Sequence, residues 1–129
     1  MAHLLVVDDE PGQREMLRLL LEDAGHIVAE ASSGEAALEL LRTTSERVVV
    51  VLDQRMPRLD GDQVLAAVAA DPLLTTRHAY ILVTASPHAL RATPPLALGG
   101  LRVPVVEKPF DVDVLLAVVA EAGAHLASA

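Results

Sequence analysis

The sequence has no cysteine and no tryptophan, and a single tyrosine and a single phenylalanine among its 129 residues. Without cysteine, disulfides and thiolate metal sites are excluded. Aromatics at 2% leave little with which to stack bases. The core of a chain that is 52% hydrophobic must then be aliphatic, built from Leu, Val and Ala. Positive charge is scarce too: Lys and Arg number 10 against 18 Asp and Glu, a net charge of −8. That argues against direct nucleic-acid binding, which needs a basic footprint to displace counterions. No apolar run approaches the length of a membrane span. The amino terminus, Met1-Ala2-His3-Leu4, lacks the basic region of a signal peptide, so the expected compartment is the cytoplasm. At this length one domain, residues 1–129, is expected, burying roughly two thirds of its unfolded surface.

What the sequence does have is a central stretch, VVVVLDQRMPRLDG, from Val48 to Gly61. Four valines and Leu52 read as a strand buried on both faces, as in the middle of a parallel sheet. Asp53 follows at the carboxyl end of that strand, where open α/β sheets place their chemistry. A turn built from Met56-Pro57 and Asp60-Gly61 comes next.

The rest of the chain alternates strands with helices. His3–Val7 reads as a strand running into Asp8-Asp9-Glu10. Pro11-Gly12 is expected to break the chain before a helix over Gln13–Ala24, with Leu17, Leu20, Leu21 and Ala24 on one apolar face and Gly25 as carboxyl cap. Ile27–Ala31 is a second strand. Ser32 and Glu35 have capping-box spacing ahead of a helix over Gly34–Arg42 with Ala37, Leu38 and Leu41 inward. After the central strand a helix over Asp62–Ala70, with Leu65, Val68 and Ala69 inward, is expected to stop at Asp71-Pro72. Ala79–Val83 is a fourth strand, ending in Thr84-Ala85-Ser86, and Val103–Glu107 a fifth, ending in Lys108-Pro109-Phe110. Asp111 is placed to cap a last helix from Val112 to about Leu126, with Leu115, Val118, Val119 and Ala122 apolar. Between Pro87 and Arg102 lie Pro94, Pro95, Gly99 and Gly100. Proline in a helix interior costs about 3 kcal/mol or more, so only a short helix over His88–Ala92, or none, is expected there. Alternation of this kind predicts an α/β fold with a parallel sheet and right-handed crossovers.

The strand ends supply Asp8 and Asp9, Asp53, Thr84 and Lys108. If the first, third, fourth and fifth strands are neighbours, spaced by about 4.8 Å, these groups converge at one sheet edge. Two unit charges about 4 Å apart repel by roughly 4 kcal/mol at an effective dielectric of 20. Three grouped carboxylates therefore need a cation, or one must hold a proton. Oxygen ligands without cysteine favour Mg²⁺ or Mn²⁺ over zinc. Taken singly, each residue has a plainer reading. Asp8-Asp9 fits a solvated turn or the start of a helix dipole, Asp53 a cap or turn, Thr84 a strand-end hydroxyl bonded to backbone, and Lys108 a surface lysine. Their joint arrival at the same ends of four strands decides against those readings. His3, His26, His78, His88 and His125 show no ligand spacing and read as surface or structural. Tyr80 and Phe110 read as core, Glu10 as a helix-start charge, and Arg55 and Arg58 as solvated loop.

Four motifs, LLVVDDE (Leu4–Glu10), LDQRMPRLDG (Leu52–Gly61), LVTAS (Leu82–Ser86) and EKPF (Glu107–Phe110), together resemble the response regulator receiver domains of two-component signalling. The likeness is to the single-domain, chemotaxis-regulator-like members and runs from Leu4 to about Leu126. The resemblance implies a flavodoxin-like three-layer sandwich: a five-stranded parallel sheet in order 2-1-3-4-5 with about five helices, the fourth short or irregular. It implies that Asp53 accepts a phosphoryl group from a sensor histidine kinase or a histidine phosphotransfer protein. It further implies that Asp8, Asp9, Asp53 and the backbone carbonyl of Arg55 hold Mg²⁺, Asp8 largely through a water. Thr84 and Lys108 would bind phosphoryl oxygens, and the small Ala85 would leave access to the phosphoryl group. Such a domain is not an enzyme acting on a separate substrate but catalyses its own phosphorylation and dephosphorylation. The Lys108–Pro109 bond is expected to be cis.

Two departures from the family pattern concern the readout. The position three before the lysine, commonly Tyr or Phe, is Val105, and the fourth helix is compromised by its prolines and glycines. Phosphorylation is therefore expected to act through ordering of the Thr84–Leu101 segment, or through another face, on an unknown protein partner. A pseudo-receiver, working as a phosphorylation-independent interaction module, is the alternative. A metal-dependent phosphatase of the Asp-x-Asp kind is disfavoured, because Arg55 stands where its second acid would be.

Overall fold

In the computed structural model, residues 2–85, 96–98 and 101–127 are described. The main sheet contains β1 (His3–Val7), β2 (Ile27–Ala31), β3 (Val48–Asp53), β4 (Ala79–Thr84) and β7 (Val105–Glu107). Its strands are all parallel and run in the order β2-β1-β3-β4-β7. This is the 2-1-3-4-5 order of the flavodoxin-like sandwich, with β7 as the fifth strand. Around the sheet lie α1 (Pro11–Asp23), α2 (Gly34–Thr43), α3 (Gly61–Ala69), α4 (Pro72–Arg77) and α5 (Val112–Ala127).

The period-2 alternation of the strands divides the core into two layers. Leu5, Val7, Val50, Leu52, Tyr80 and Leu82 pack with Ala37, Leu38 and Leu41 of α2 and Val64, Leu65 and Val68 of α3. Leu4, Val6, Val49, Val51, Ile81 and Val83 pack with Leu17 and Leu21 of α1 and Leu115 and Val119 of α5. β3 is buried on both faces from Val48 to Leu52, as its unbroken apolar run requires. Among the described residues no helix is long and apolar enough to cross a membrane.

Several local expectations are corrected. The first helix begins at Pro11, not Gln13: the proline follows the end of the extended chain and itself opens α1, and Glu10 caps it, its carboxylate accepting the amides of Gly12 and Gln13 at 3.0 and 2.8 Å. Ala24 lies past the end of α1 and is exposed. Pro72 likewise starts a helix, α4, with Asp71 accepting the Leu73 amide. A first-turn proline lacks only an N–H that would be unpaired anyway. Ser33, not Ser32, caps α2, because its hydroxyl oxygen reaches the Ala36 amide at 3.1 Å. The expected fifth strand, Val103–Glu107, is split at Pro104. Val105–Glu107 joins the main sheet, while Val103 belongs to β6 (Leu101–Val103), antiparallel to β5 (Leu96–Leu98). Pro104 has no N–H to donate to a ladder, although its carbonyl accepts the Leu82 amide at 2.9 Å. The expected helix over His88–Ala92 lies outside the described residues, as does most of the Thr84–Leu101 segment. The Asp111 cap and the Gly25 terminus are as the sequence indicates: Asp111 accepts the Asp113 amide at 2.8 Å, and Gly25 has φ +97°.

Candidate functional site

β1 and β3 are adjacent and in register, Val7 beside Leu52, so the residues after each strand emerge side by side. Asp8 is buried at 2% exposure. Its Oδ1 accepts the Glu10 amide at 3.0 Å, whereas its Oδ2 is buried with no hydrogen-bond partner. Asp9 is exposed and Asp53 partly buried. One carboxylate oxygen from each of Asp8, Asp9 and Asp53 lies within 4.8 Å of the others. Burial pushes the Asp8 carboxyl above its ordinary value. The Glu10 amide opposes that, the Asp53 charge adds to it, and Lys108 and Asp9 act more weakly in opposite directions.

The opposing cation comes from the far side of the sheet. β7 pairs with β4, Thr84 beside Glu107, and the Lys108 amide donates to the Thr84 carbonyl at 2.7 Å. From there Lys108 Nζ reaches Asp53 Oδ1 at 3.0 Å. Both side chains are largely shielded, so this pair is screened less than a surface ion pair. The Lys108–Pro109 bond is cis.

A partnerless, buried carboxylate oxygen beside two further carboxylates is a poor resting state for a protein alone. An all-oxygen set of this kind suits a hard divalent ion such as Mg²⁺. The residues present therefore fit such an ion.

Asp8, Asp9, Asp53 and Lys108 are thus brought together. Thr84 is placed differently. Strand alternation puts Asp53 and Gln54 on opposite faces of β3, and Thr84 shares the Gln54 face, the layer of Leu52 and Leu82. Its hydroxyl donates to Gln54 Oε1. Gln54 Nε2 in turn donates to Asp62 Oδ2 at 3.3 Å, in the first turn of α3. Gln54 was not legible as a site residue: one glutamine after a strand carries no periodicity or motif, and only the register brings it to Thr84. The Arg55 side chain is exposed, as is Arg58, which has φ 65° and lies 3.6 Å from Glu35. Beneath the site Gly61 packs so closely that a Cβ there would stand 2.6 Å from the Asp53 carbonyl oxygen.

A doubly wound sheet carrying three acids and a lysine at its carboxyl edge defines a receiver-type domain, and comparison with known proteins agrees. The family model described as response regulator receiver domain matches residues 4–120. The chain belongs to that family, the receiver domains of two-component systems. It is 35% identical over 120 residues to the transcriptional regulatory protein GlrR of Escherichia coli K12, covering 88% of this chain and 24% of that protein. Among solved structures, a CheY-like receiver domain protein from Methanospirillum hungatei JF-1 superposes with a TM-score of 0.81 at 27% identity, covering 98% of each chain. The response regulator TrrA of Thermotoga maritima, solved in complex with Mg(2+)-BeF, gives 0.79 at 30% identity over 95% of this chain and 99% of that one. The chain spans about a quarter to about half the length of the curated relatives it matches.

Proposed function

We propose that this domain is a phospho-acceptor of a two-component phosphorelay, with Asp53 as the nucleophile. The observation that carries the reading is the Lys108 Nζ–Asp53 Oδ1 pair at 3.0 Å beside a carboxylate cluster holding a partnerless Asp8 oxygen. A carboxylate oxygen of Asp53 attacks the phosphorus of a phosphohistidine on a sensor kinase or histidine phosphotransfer protein. The P–N bond breaks, the imidazole leaves with its electron pair and takes up a proton, and an acyl phosphate forms on Asp53. Little covalent work is asked of the protein beyond positioning and charge stabilisation. Lys108 supplies part of the second, its ammonium following charge from the carboxylate to a phosphoryl oxygen. Asp8, Asp9, Asp53 and the Arg55 carbonyl would hold Mg²⁺, which when bound neutralises the gathered negative charge. Thr84 contributes a hydroxyl to another phosphoryl oxygen. Attack of water on the phosphorus then returns Asp53 and phosphate, so the switch resets itself, and the phosphorylated state alters binding to a downstream protein.

Intact mass after incubation with acetyl phosphate and Mg²⁺ tests this. One phosphoryl addition is expected, absent without metal and in Asp53→Asn. Labelling that persists in Asp53→Asn, or none in the wild type, removes the assignment. Val105, half-buried in β7, favours the second reading, a phosphorylation-independent interaction module, since it offers no aromatic ring to report the switch. An unlabelled wild-type protein would support that module.

A further inference from the structure

Three groups form a chain that crosses from β4 to α3: the Thr84 hydroxyl, the Gln54 amide and the Asp62 carboxylate. The carboxylate only accepts hydrogen bonds, so it must face the Gln54 NH₂. That fixes the amide orientation and turns Oε1 toward Thr84. The hydroxyl has one proton to give, and that proton goes to Gln54. Both ends of this bond are enclosed, Thr84 at 2% and Gln54 at 7% exposure, so water does not readily replace it. The same alternation that sets Asp53 on one face of β3 sets Gln54 and Thr84 on the other.

We propose that Gln54 is a positioning residue that latches Thr84 on the α3 face of the sheet in the unphosphorylated state. Donation from Thr84 to a phosphoryl oxygen on Asp53 and donation to Gln54 are mutually exclusive. Phosphorylation must therefore break the latch, leaving Gln54 Oε1 to find another donor and loosening the bridge to Asp62 at the start of α3. Gln54 thereby sets the balance between the two states and carries the change from the β4 edge to α3. The inference rests on Asp53 being the phospho-acceptor.

The test is a double-mutant cycle read by the affinity for beryllofluoride with Mg²⁺. Gln54→Met keeps the side-chain length and removes the acceptor. It is expected to tighten binding about three- to tenfold, the worth of one neutral hydrogen bond. In a Thr84→Val background the same substitution should change affinity less than twofold. Asp62→Ala, at an exposed position, releases the latch from its other end and should tighten binding in the same direction by a smaller factor. It keeps the test decisive should Gln54→Met fail to fold. Unchanged or weaker binding in the variants overturns the latch, as does an equal gain with and without the Thr84 hydroxyl. If the wild-type protein takes phosphate from acetyl phosphate and the variants give either of those results, the latch alone is lost. A wild-type protein that neither labels nor binds beryllofluoride loses the phospho-acceptor reading as well.

Discussion

His78 is enclosed where the end of α2 meets the starts of β3 and β4, with 3% of its surface exposed. Its Nδ1 accepts the Val48 amide and its Nε2 donates to the Leu41 carbonyl, each at 3.1 Å. The ring is therefore neutral, and a proton on Nδ1 would break the bond to Val48. Burial lowers its proton affinity, the Leu41 carbonyl opposes this, and Arg77 and Arg47 add to the lowering. A base whose folded pKa is depressed contributes stability that is full above its unfolded value, about 6.5. That contribution is lost as pH falls from there toward the folded value. Urea denaturation between pH 7.5 and 5.5 should show stability falling by up to about 1.4 kcal/mol per pH unit below 6.5. The slope should be shallower in His78→Gln. At the acidic cleft the sign of a mutation is set by like charge. Asp8→Asn removes one of three clustered carboxylates and should stabilise the metal-free protein by about 1 kcal/mol, roughly 3–5 °C in Tm. Thermal unfolding with and without chelator checks it. The same residue illustrates what was legible. Asp8 and Asp9 stood out because two acids ended an apolar run, whereas His78 looked like any histidine, since its partners are 30 and 37 residues away.

At the scale of elements, α3 shows how local chemistry positions the site. Asp60 accepts the Gln63 amide and the Gln63 side chain accepts the Asp60 amide, both at 3.0 Å, a reciprocal capping box. Immediately inside it, Gly61 lets the helix start against β3. A Cβ at that position would meet the Asp53 oxygen at 2.6 Å and the Gln54 Cα at 2.8 Å. Both are backbone atoms, which cannot swing aside as a side chain could. Gly61→Ala should therefore cost about 1–3 kcal/mol and, by displacing Asp53, slow labelling by acetyl phosphate. Denaturant unfolding and labelling rates measure the two effects. Asp60→Ala, which removes only the cap, should cost about 1 kcal/mol and leave labelling closer to wild type. Strands and helices were readable here because periodicity is a property of neighbours. The element ends were less so. Pro11, Ser33, Pro72 and Pro104 each have two local uses, and packing outside the element chose between them.

For the whole molecule, the parallel order β2-β1-β3-β4-β7 gathers residues 8, 9, 53 and 108 at one edge. Binding of Mg²⁺ by the native state alone should then raise stability by about 2.7 kcal/mol at one hundred times its Kd. The increment should vanish when Asp8 and Asp53 are both replaced by Asn. Thermal shifts across a Mg²⁺ titration are the measurement. The sequence by itself determined the alternation of strands and helices, the buried central strand and the acids and lysine at strand ends, because those depend on side-chain pattern over a few residues. Only the tertiary structure decided that Lys108 closes on Asp53, that Asp8 keeps a partnerless oxygen, and that Thr84 is held by Gln54. Those facts follow from strand order and register, which join residues up to 55 positions apart and flip a side chain to the opposite layer with each single-residue step.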